Sequence, residues 1–291
     1  MGDPELVIPH VARNDELLIG NLPYIRRNLA PSRITIVAAG HTIDGLAKRI
    51  DEEITFVDED SLLPGLTLAA TRERLVGIGL PATRAGWYFQ QFLKMGWALT
   101  TAAREWYLVW DSDTFPLRPI SFFDEGQRPI FLTTEQHKAS YFESLVELVG
   151  LERRSAASFI AESMLVNRGL MLELIGEIAT RGETSPERFF ERILTVIAGS
   201  SDPYTAFSEF ETYGNFALAR HPGMYVLRPS RGFRNGAKHY GLRPNRNDLA
   251  RLAARHDIVS FERWNTRFAP LIAFNKLVAF LGNTLSPRGR E

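Results

Sequence analysis

Apolar and polar positions alternate along the first half of the chain in short blocks. "ELVIP" (5–9), "RITIVAA" (33–39) and "EITFVDED" (53–60) have the length and β-branched content of strands. "DELLIGNLPYIRRNL" (15–29) has helical spacing, with an interruption expected near Pro23. Over 83–103, Tyr88, Phe92, Met95, Leu99 and Ala102 form one helical stripe, and Gln90, Lys94 and Thr101 the opposite face. "EWYLVW" (105–110) is almost wholly apolar, as expected of a strand covered on both faces. The second half is less regular. It predicts strands at 162–166 and 224–228, a strand-like "PIFLTT", and helices near 168–180, 186–197 and 205–219.

Strands separated by helices predict an α/β fold with a largely parallel sheet flanked by helices. Ligands of such sheets bind beyond the carboxyl ends of the strands. Here those ends are followed by His10–Asn14, Ala38–His41, Asp58–Asp60 and Asp111–Asp113. The composition shifts after residue 243, so 1–243 is expected to form the main domain and 244–291 a helical extension packed on it. Within that extension, 266–281 sets Phe268, Leu271, Ile272, Leu277 and Phe280 against Asn265, Arg267, Asn275 and Lys276. Such a segment docks on its own domain, or lies on a membrane surface or a second copy.

Bulk properties narrow the function classes. The 291 residues are 45% hydrophobic, enough for a sizeable core. Lys+Arg and Asp+Glu both number 34, so there is no basic excess and no nucleic-acid partner is expected. With no cysteine there are no disulfides, thiolate metal sites or cysteine nucleophiles. "MGDPELVIPH" lacks the basic start and apolar core of a secretory signal, and no apolar run approaches the ~18 residues of a membrane span. The expected location is cytoplasmic, with peripheral contact to the inner face of the membrane through 266–281 as a further expectation.

The chemistry centres on "WDSDTFPLRP" (110–119). Asp111 and Asp113 either begin a solvated turn or present two carboxylates where a parallel sheet holds its ligand. Mg²⁺ or Mn²⁺, hard cations that prefer carboxylate and phosphate oxygens, would join such a pair to a diphosphate. Other classes fit poorly. The turn after the first strand, "PHVARND", has no glycine for a dinucleotide site, and neither GxxxxGK[ST] nor GxSxG occurs. A phosphatase nucleophile would follow the first strand, whereas this pair follows about the fourth.

Three stretches, "GWYFQQFLKMG" (86–96), "WDSDTFPLRP" and "SEFETYGN" (208–215), occur in the order seen in a bacterial group of glycosyltransferases. On these the chain resembles the GT-A glycosyltransferases over roughly residues 4–243. The resemblance implies a Rossmann-like mixed sheet and a DxD motif that grips a metal and the diphosphate of a nucleotide-sugar. It further implies nucleotide-sugar contacts from Pro9, Val11, Arg13, Asp58, Arg84, Gln90, Lys94, Trp110 and Ser112. His239 would be a third metal ligand beside Asp111 and Asp113, with Lys238 and Arg234 near the departing diphosphate. Glu209 or Glu211 would be the base of an inverting reaction; at about 100° per residue they border one helix face on opposite sides, so periodicity does not choose between them. Tyr213, Asn215 and Asn167 would be the acceptor or sugar contacts, and His137, among the polar residues that follow "PIFLTT", is expected to line the acceptor side as well. The implied activity moves a sugar from a nucleotide diphosphate donor to a glycan or lipid-linked glycan, in surface polysaccharide or lipopolysaccharide synthesis. The alternative is an inactive nucleotide-sugar-binding or scaffolding module of the same fold.

Overall fold

A computed structural model describes residues 3–50, 53–136 and 138–266. In chain order the elements begin β1 (Glu5–Pro9), α1 (Asp15–Leu29), β2 (Arg33–Ala38), α2 (Gly40–Ala47), β3 (Thr55–Asp58), α3 (Leu68–Gly77), α4 (Ala85–Gly96), β4 (Trp106–Trp110) and β5 (Thr114–Pro116). They continue with β6 (Ile130–Thr133), α5 (Ala139–Val149), β7 (Ser163–Asn167), α6 (Arg168–Arg181), α7 (Phe189–Ala198) and α8 (Glu209–Arg220). The last are β8 (Val226–Pro229), β9 (Gly232–Phe233), α9 (Gly236–Tyr240), α10 (Arg246–Ala253) and β10 (Ile258–Ser260). They fall into two compact units interleaved along the chain.

The first unit comprises 1–12, 31–111 and 121–230. Its sheet has the order β3-β2-β1-β4-β7. β1 pairs parallel with both β2 and β4, Val7 standing opposite Thr35 on one side and Val109 on the other. All five residues of β1 and of β4 are buried, as their apolar runs require. The sheet is mixed rather than wholly parallel, because β7 runs antiparallel to β4, from Trp106↔Asn167 to Trp110↔Ser163. A second, two-stranded parallel sheet joins β6 to β8. At the amino end of β1, Glu5 is fully buried. Its Oε1 accepts from Arg33 Nη2 at 2.6 Å and Thr35 Oγ1 at 3.0 Å, so β1 and β2 are tied by charge as well as by their ladder.

Among the described residues the second unit comprises 13–30, 112–120 and 231–266. β10 pairs antiparallel with β5 and parallel with β9. Leu17, Phe115, Leu117, Ala237, Leu249, Leu252, Val259 and Phe261 form its core. α1 runs unbroken through Pro23, contrary to the expected interruption. A proline inside a helix costs about 3 kcal/mol. Buried asparagines two turns apart offset it, since Asn21 and Asn28 donate to the carbonyls of Thr114 and Pro116 at 2.6 and 2.7 Å. The expected boundary at 243/244 lies within this unit, because 231–243 and α10 both belong to it. All of 266–281 beyond Thr266 lies outside the described residues. No described helix is long and apolar enough to cross a membrane.

Two boundaries moved inward for local reasons. The third strand ends at Asp58, whose side chain accepts from Asp60 N at 3.1 Å and turns the chain into a short 3-10 segment. The helix expected over 205–219 begins at Glu209, because Ser208 caps it by accepting from Glu211 N at 3.3 Å.

Candidate functional site

At the carboxyl end of β4, Asp111 N donates to Glu162 O at 3.2 Å, and Asp111 Oδ1 lies 2.8 Å from Lys94 Nζ. The same ammonium donates to Glu209 Oε1 at 2.8 Å. It also sits 4.6 Å from the centroid of the Phe210 ring. Lys94, which the helical pattern sets on the polar face of α4, is the buried centre of a carboxylate–ammonium–carboxylate row. Met95, Val109, Met164 and Met171 line a small cavity together with Lys94 and Glu209. Burial pulls the lysine pKa down, but Asp111 and Glu209 more than reverse this and hold it above its ordinary value. The Asp111 side chain is 29% exposed, against 4% for Lys94 and 8% for Glu209. Asp111 is thus the open end of the row.

Each member of the row comes from one of the three motif stretches, carried by α4, by the end of β4 and by the first residue of α8. Gln91, which the helical pattern had not singled out, ties two of these together. Its Oε1 accepts from Glu209 N and its Nε2 donates to Trp87 O, both at 3.1 Å. Gln90, its half-buried neighbour, lies outside this contact. The two adjacent glutamines carried the signal; choosing between them required knowing which side α8 covers.

Glu211 occupies different surroundings. Its carboxylate accepts from Ser158 Oγ, from Phe159 N at 3.2 Å and from Asn215 Nδ2 at 3.4 Å. Asn215 Oδ1 in turn accepts from Arg154 N at 2.6 Å. A Cβ on Gly214 would stand 2.5 Å from the Phe159 ring, so only glycine lets the 154–162 segment lie against α8. Tyr213 is buried, which raises its hydroxyl pKa, and it accepts from Asn167 N at 2.8 Å while paired with Tyr225 at 2.8 Å. Asn167 caps α6 by accepting from Leu170 N at 3.1 Å. Glu211, Tyr213, Asn215 and Asn167 thus share a network that secures α8, α6 and the 154–162 segment.

The other expected contacts in this unit are dispersed. Pro9 is buried at the end of β1 and Val11 is exposed. Trp110 is fully buried, edge-on to Phe122. Arg84 stacks 4.2 Å over the Trp87 ring and donates to Tyr204 O, so its guanidinium is engaged within the protein. His137 lies outside the described residues. Beside Asp58, the buried Glu59 has its pKa pushed up to about 7, by burial first and then by Asp60 and Asp58. Ionised Glu59 therefore costs the fold stability as pH rises from 4.5 through about 7. Glu59→Gln is expected to raise Tm above pH 7 by roughly 2–4 °C, the shift of about 1 kcal/mol, and to leave it unchanged below pH 4. Equal melting curves at pH 8 would refute this.

In the second unit, Ser112 is buried and Asp113 precedes β5, its carbonyl accepting from Phe261 N at 2.9 Å. Asn235, one turn before His239, bridges to the same Phe261. Gly236 packs so closely on Ser260 O that a Cβ would lie 2.6 Å away. Asp113 and the start of α9, which carries Lys238 and His239, thus meet the same end of β10. Arg234 is paired with Glu262 at 2.7 Å, whereas Lys238 has no ion pair among the described residues. Arg13 is exposed, and its carbonyl accepts from Arg263.

Among the described residues no three His, Asp or Glu side chains gather as a metal cage. Mg²⁺ and Mn²⁺ bound with a phosphate ligand do not require one, since one or two protein ligands suffice beside phosphate and water oxygens. The carboxylate of Asp113 and the imidazole of His239 are chemically suited to that part.

No family model and no curated protein matches the chain. Solved structures do. A galactosyltransferase, LgtC, in complex with donor and acceptor sugar analogs, is 12% identical with a TM-score of 0.43, covering 98% of each chain. Mouse xyloside xylosyltransferase 1 is 11% identical with a TM-score of 0.46, over 92% of this chain and 100% of that one. The bifunctional glycosyltransferase WbbM is 9% identical with a TM-score of 0.45, over 89% of this chain and 45% of its own. At such identities and scores the likenesses assign neither substrate nor residue.

Proposed function

We propose that this chain is a glycosyltransferase that moves a sugar from a nucleotide diphosphate donor to a glycan or lipid-linked glycan, at the inner face of the cytoplasmic membrane. The observation that carries this reading is the Asp111–Lys94–Glu209 row, to which each of the three motif stretches contributes one charged group. Here residues 94, 111 and 209 meet at the carboxyl edge of a central strand, where ligands of such sheets bind.

In this reading Lys94 fixes the positions of Asp111 and Glu209, and the open carboxylate of Asp111 accepts from donor hydroxyls. Glu209, at the first turn of α8, takes the proton of the attacking acceptor hydroxyl, and the sugar is transferred with inversion. Asp113 and His239 would hold Mn²⁺ or Mg²⁺, and the cation would supply positive charge to offset that of the diphosphate. Lys238, next to His239 on α9, would add a further positive charge. An acceptor carried on a lipid would bring in the 266–281 segment, and surface polysaccharide or lipopolysaccharide synthesis is the setting that the motif resemblance implies.

A thermal-shift panel of nucleotide diphosphate sugars tests the reading. With Mn²⁺, one donor at about a hundred times its Kd is expected to stabilise the protein by about 2.7 kcal/mol. Asp113→Ala is expected to remove the Mn²⁺-dependent part. A panel without any stabilising donor, or stabilisation indifferent to both Mn²⁺ and Asp113→Ala, would defeat the proposal. NMR of the product anomer against the donor anomer decides inversion.

A further inference from the structure

One surface feature lies outside the row of charges yet is built with comparable care. The loop between α7 and α8 carries Tyr204, whose side chain stands in water at 52% exposure. Its backbone is pinned on every side. Pro203 O accepts from Tyr88 Oη at 2.6 Å, Tyr204 O from Arg84, and Thr205 O from Ser140 Oγ at 3.1 Å. Ser201 Oγ donates to Glu143 at 2.7 Å, and Thr205 Oγ1 to Asp202 at 2.6 Å. The same Arg84 lies 4.2 Å over the half-buried Trp87, which also meets Tyr88 edge-on at 4.7 Å. A loop held this firmly has lost its conformational entropy before any ligand arrives, which makes an exposed ring on it a preorganised contact.

We infer that Tyr204, on a loop braced by Arg84 and Trp87, forms a distal acceptor subsite that stacks on the apolar face of a pyranose ring. An aromatic ring offers apolar area with a polar tip, while Arg84, engaged with the Tyr204 carbonyl and the Trp87 ring, serves to hold the loop in place. Position supports a glycan in particular. Gln91 connects Trp87 O to Glu209 N, so the platform begins one turn of α4 from the proposed base. Trp87 and Lys94 are seven residues apart, about 10 Å along the helix axis. In this inference the acceptor is an oligosaccharide, its far residue on Tyr204 and its reacting hydroxyl near Glu209. This rests on the transferase reading for its chemistry, but its test uses no donor.

The probe is a printed array of monosaccharides and short oligosaccharides, read with the full-length protein. The wild type is expected to retain oligosaccharides and not their component monosaccharides. Tyr204→Ala is expected to weaken that retention about tenfold, or 1.4 kcal/mol. Tyr204→Trp, which keeps a ring, should stay within roughly threefold of wild type. Because the loop is held through the Tyr204 carbonyl, the alanine variant is expected to melt with the wild type, which separates lost stacking from lost folding. Retention unchanged in Tyr204→Ala, or no oligosaccharide retained by the wild type, overturns the inference. So does a dimer that Tyr204→Ala dissociates with glycan retention intact, since the ring would then be a contact between copies. Tyr204-dependent glycan retention without a stabilising nucleotide-sugar would instead defeat the transferase reading and leave the platform standing.

Discussion

Lys94→Met is expected to lower the melting temperature at neutral pH by roughly 10 °C, the largest effect of any single substitution in the row. Removing one partner of a buried charge cluster costs about 3–5 kcal/mol, and each kcal/mol shifts Tm by roughly 2–4 °C in a chain of this size. Methionine keeps the volume and apolar contact of the lysine stem, so the loss reports charge rather than a cavity. The wild-type row carries two negative charges and one positive; the variant leaves two carboxylates facing each other across the gap. The pH dependence provides an internal check. The lysine pKa is raised in the folded state, so its stabilising contribution is complete at neutral pH and lost only in strong alkali. In Lys94→Met two carboxylates repel each other with no ammonium between them, and acid relieves that repulsion, so the deficit is expected to shrink as pH falls. Adding Glu209→Gln to Lys94→Met is expected to recover more than half of the loss, because the lone Asp111 is open to water. A Lys94→Met protein that melts within 2 °C of wild type at pH 7–8 would show that the row carries no such charge balance.

The elements with long apolar runs were legible in the sequence. β1 and β4 are buried along their whole length and were found within a residue of their ends. The strands β5, β9 and β10 were not, for a physical reason. Each has two or three residues, too few for any periodicity, and their pairing is set by remote groups such as Asn21, Asn28 and the Thr114–Ser260 hydroxyl pair at 2.9 Å. Pro23 misled in the opposite direction: local propensity predicted an interruption that tertiary bonds override. At the site the motifs were legible as text and their roles were not. Lys94 sits among polar positions of α4 because its partners, 17 and 115 residues further along, are invisible to a helical wheel. The pair Glu209 and Glu211 was left open by periodicity, and what separates them is the identity of their partners.

That separation makes the second large prediction. Glu209→Gln is expected to lower kcat more than a hundredfold, the scale at which a general base acts, while moving Tm by no more than a few degrees. Its removal leaves Lys94 balanced by Asp111, so no buried charge is stranded. Glu211→Gln is expected to show the reverse. The carboxylate meets donors from Ser158, Phe159 and Asn215, and an amide puts its own N–H₂ against one of them. An unsatisfied buried donor costs about 1–3 kcal/mol. The loss should appear as a lower Tm and as faster amide exchange along 154–162, the segment that Glu211 and Asn215 secure, with kcat reduced far less than by Glu209→Gln. Thermal melts, hydrogen exchange and steady-state kinetics on the two variants distinguish the roles. If Glu211→Gln abolishes turnover with its melting and exchange unchanged, while Glu209→Gln retains activity, the base is Glu211 and the proton path runs through the buried network of α8 rather than through the row of charges at Asp111.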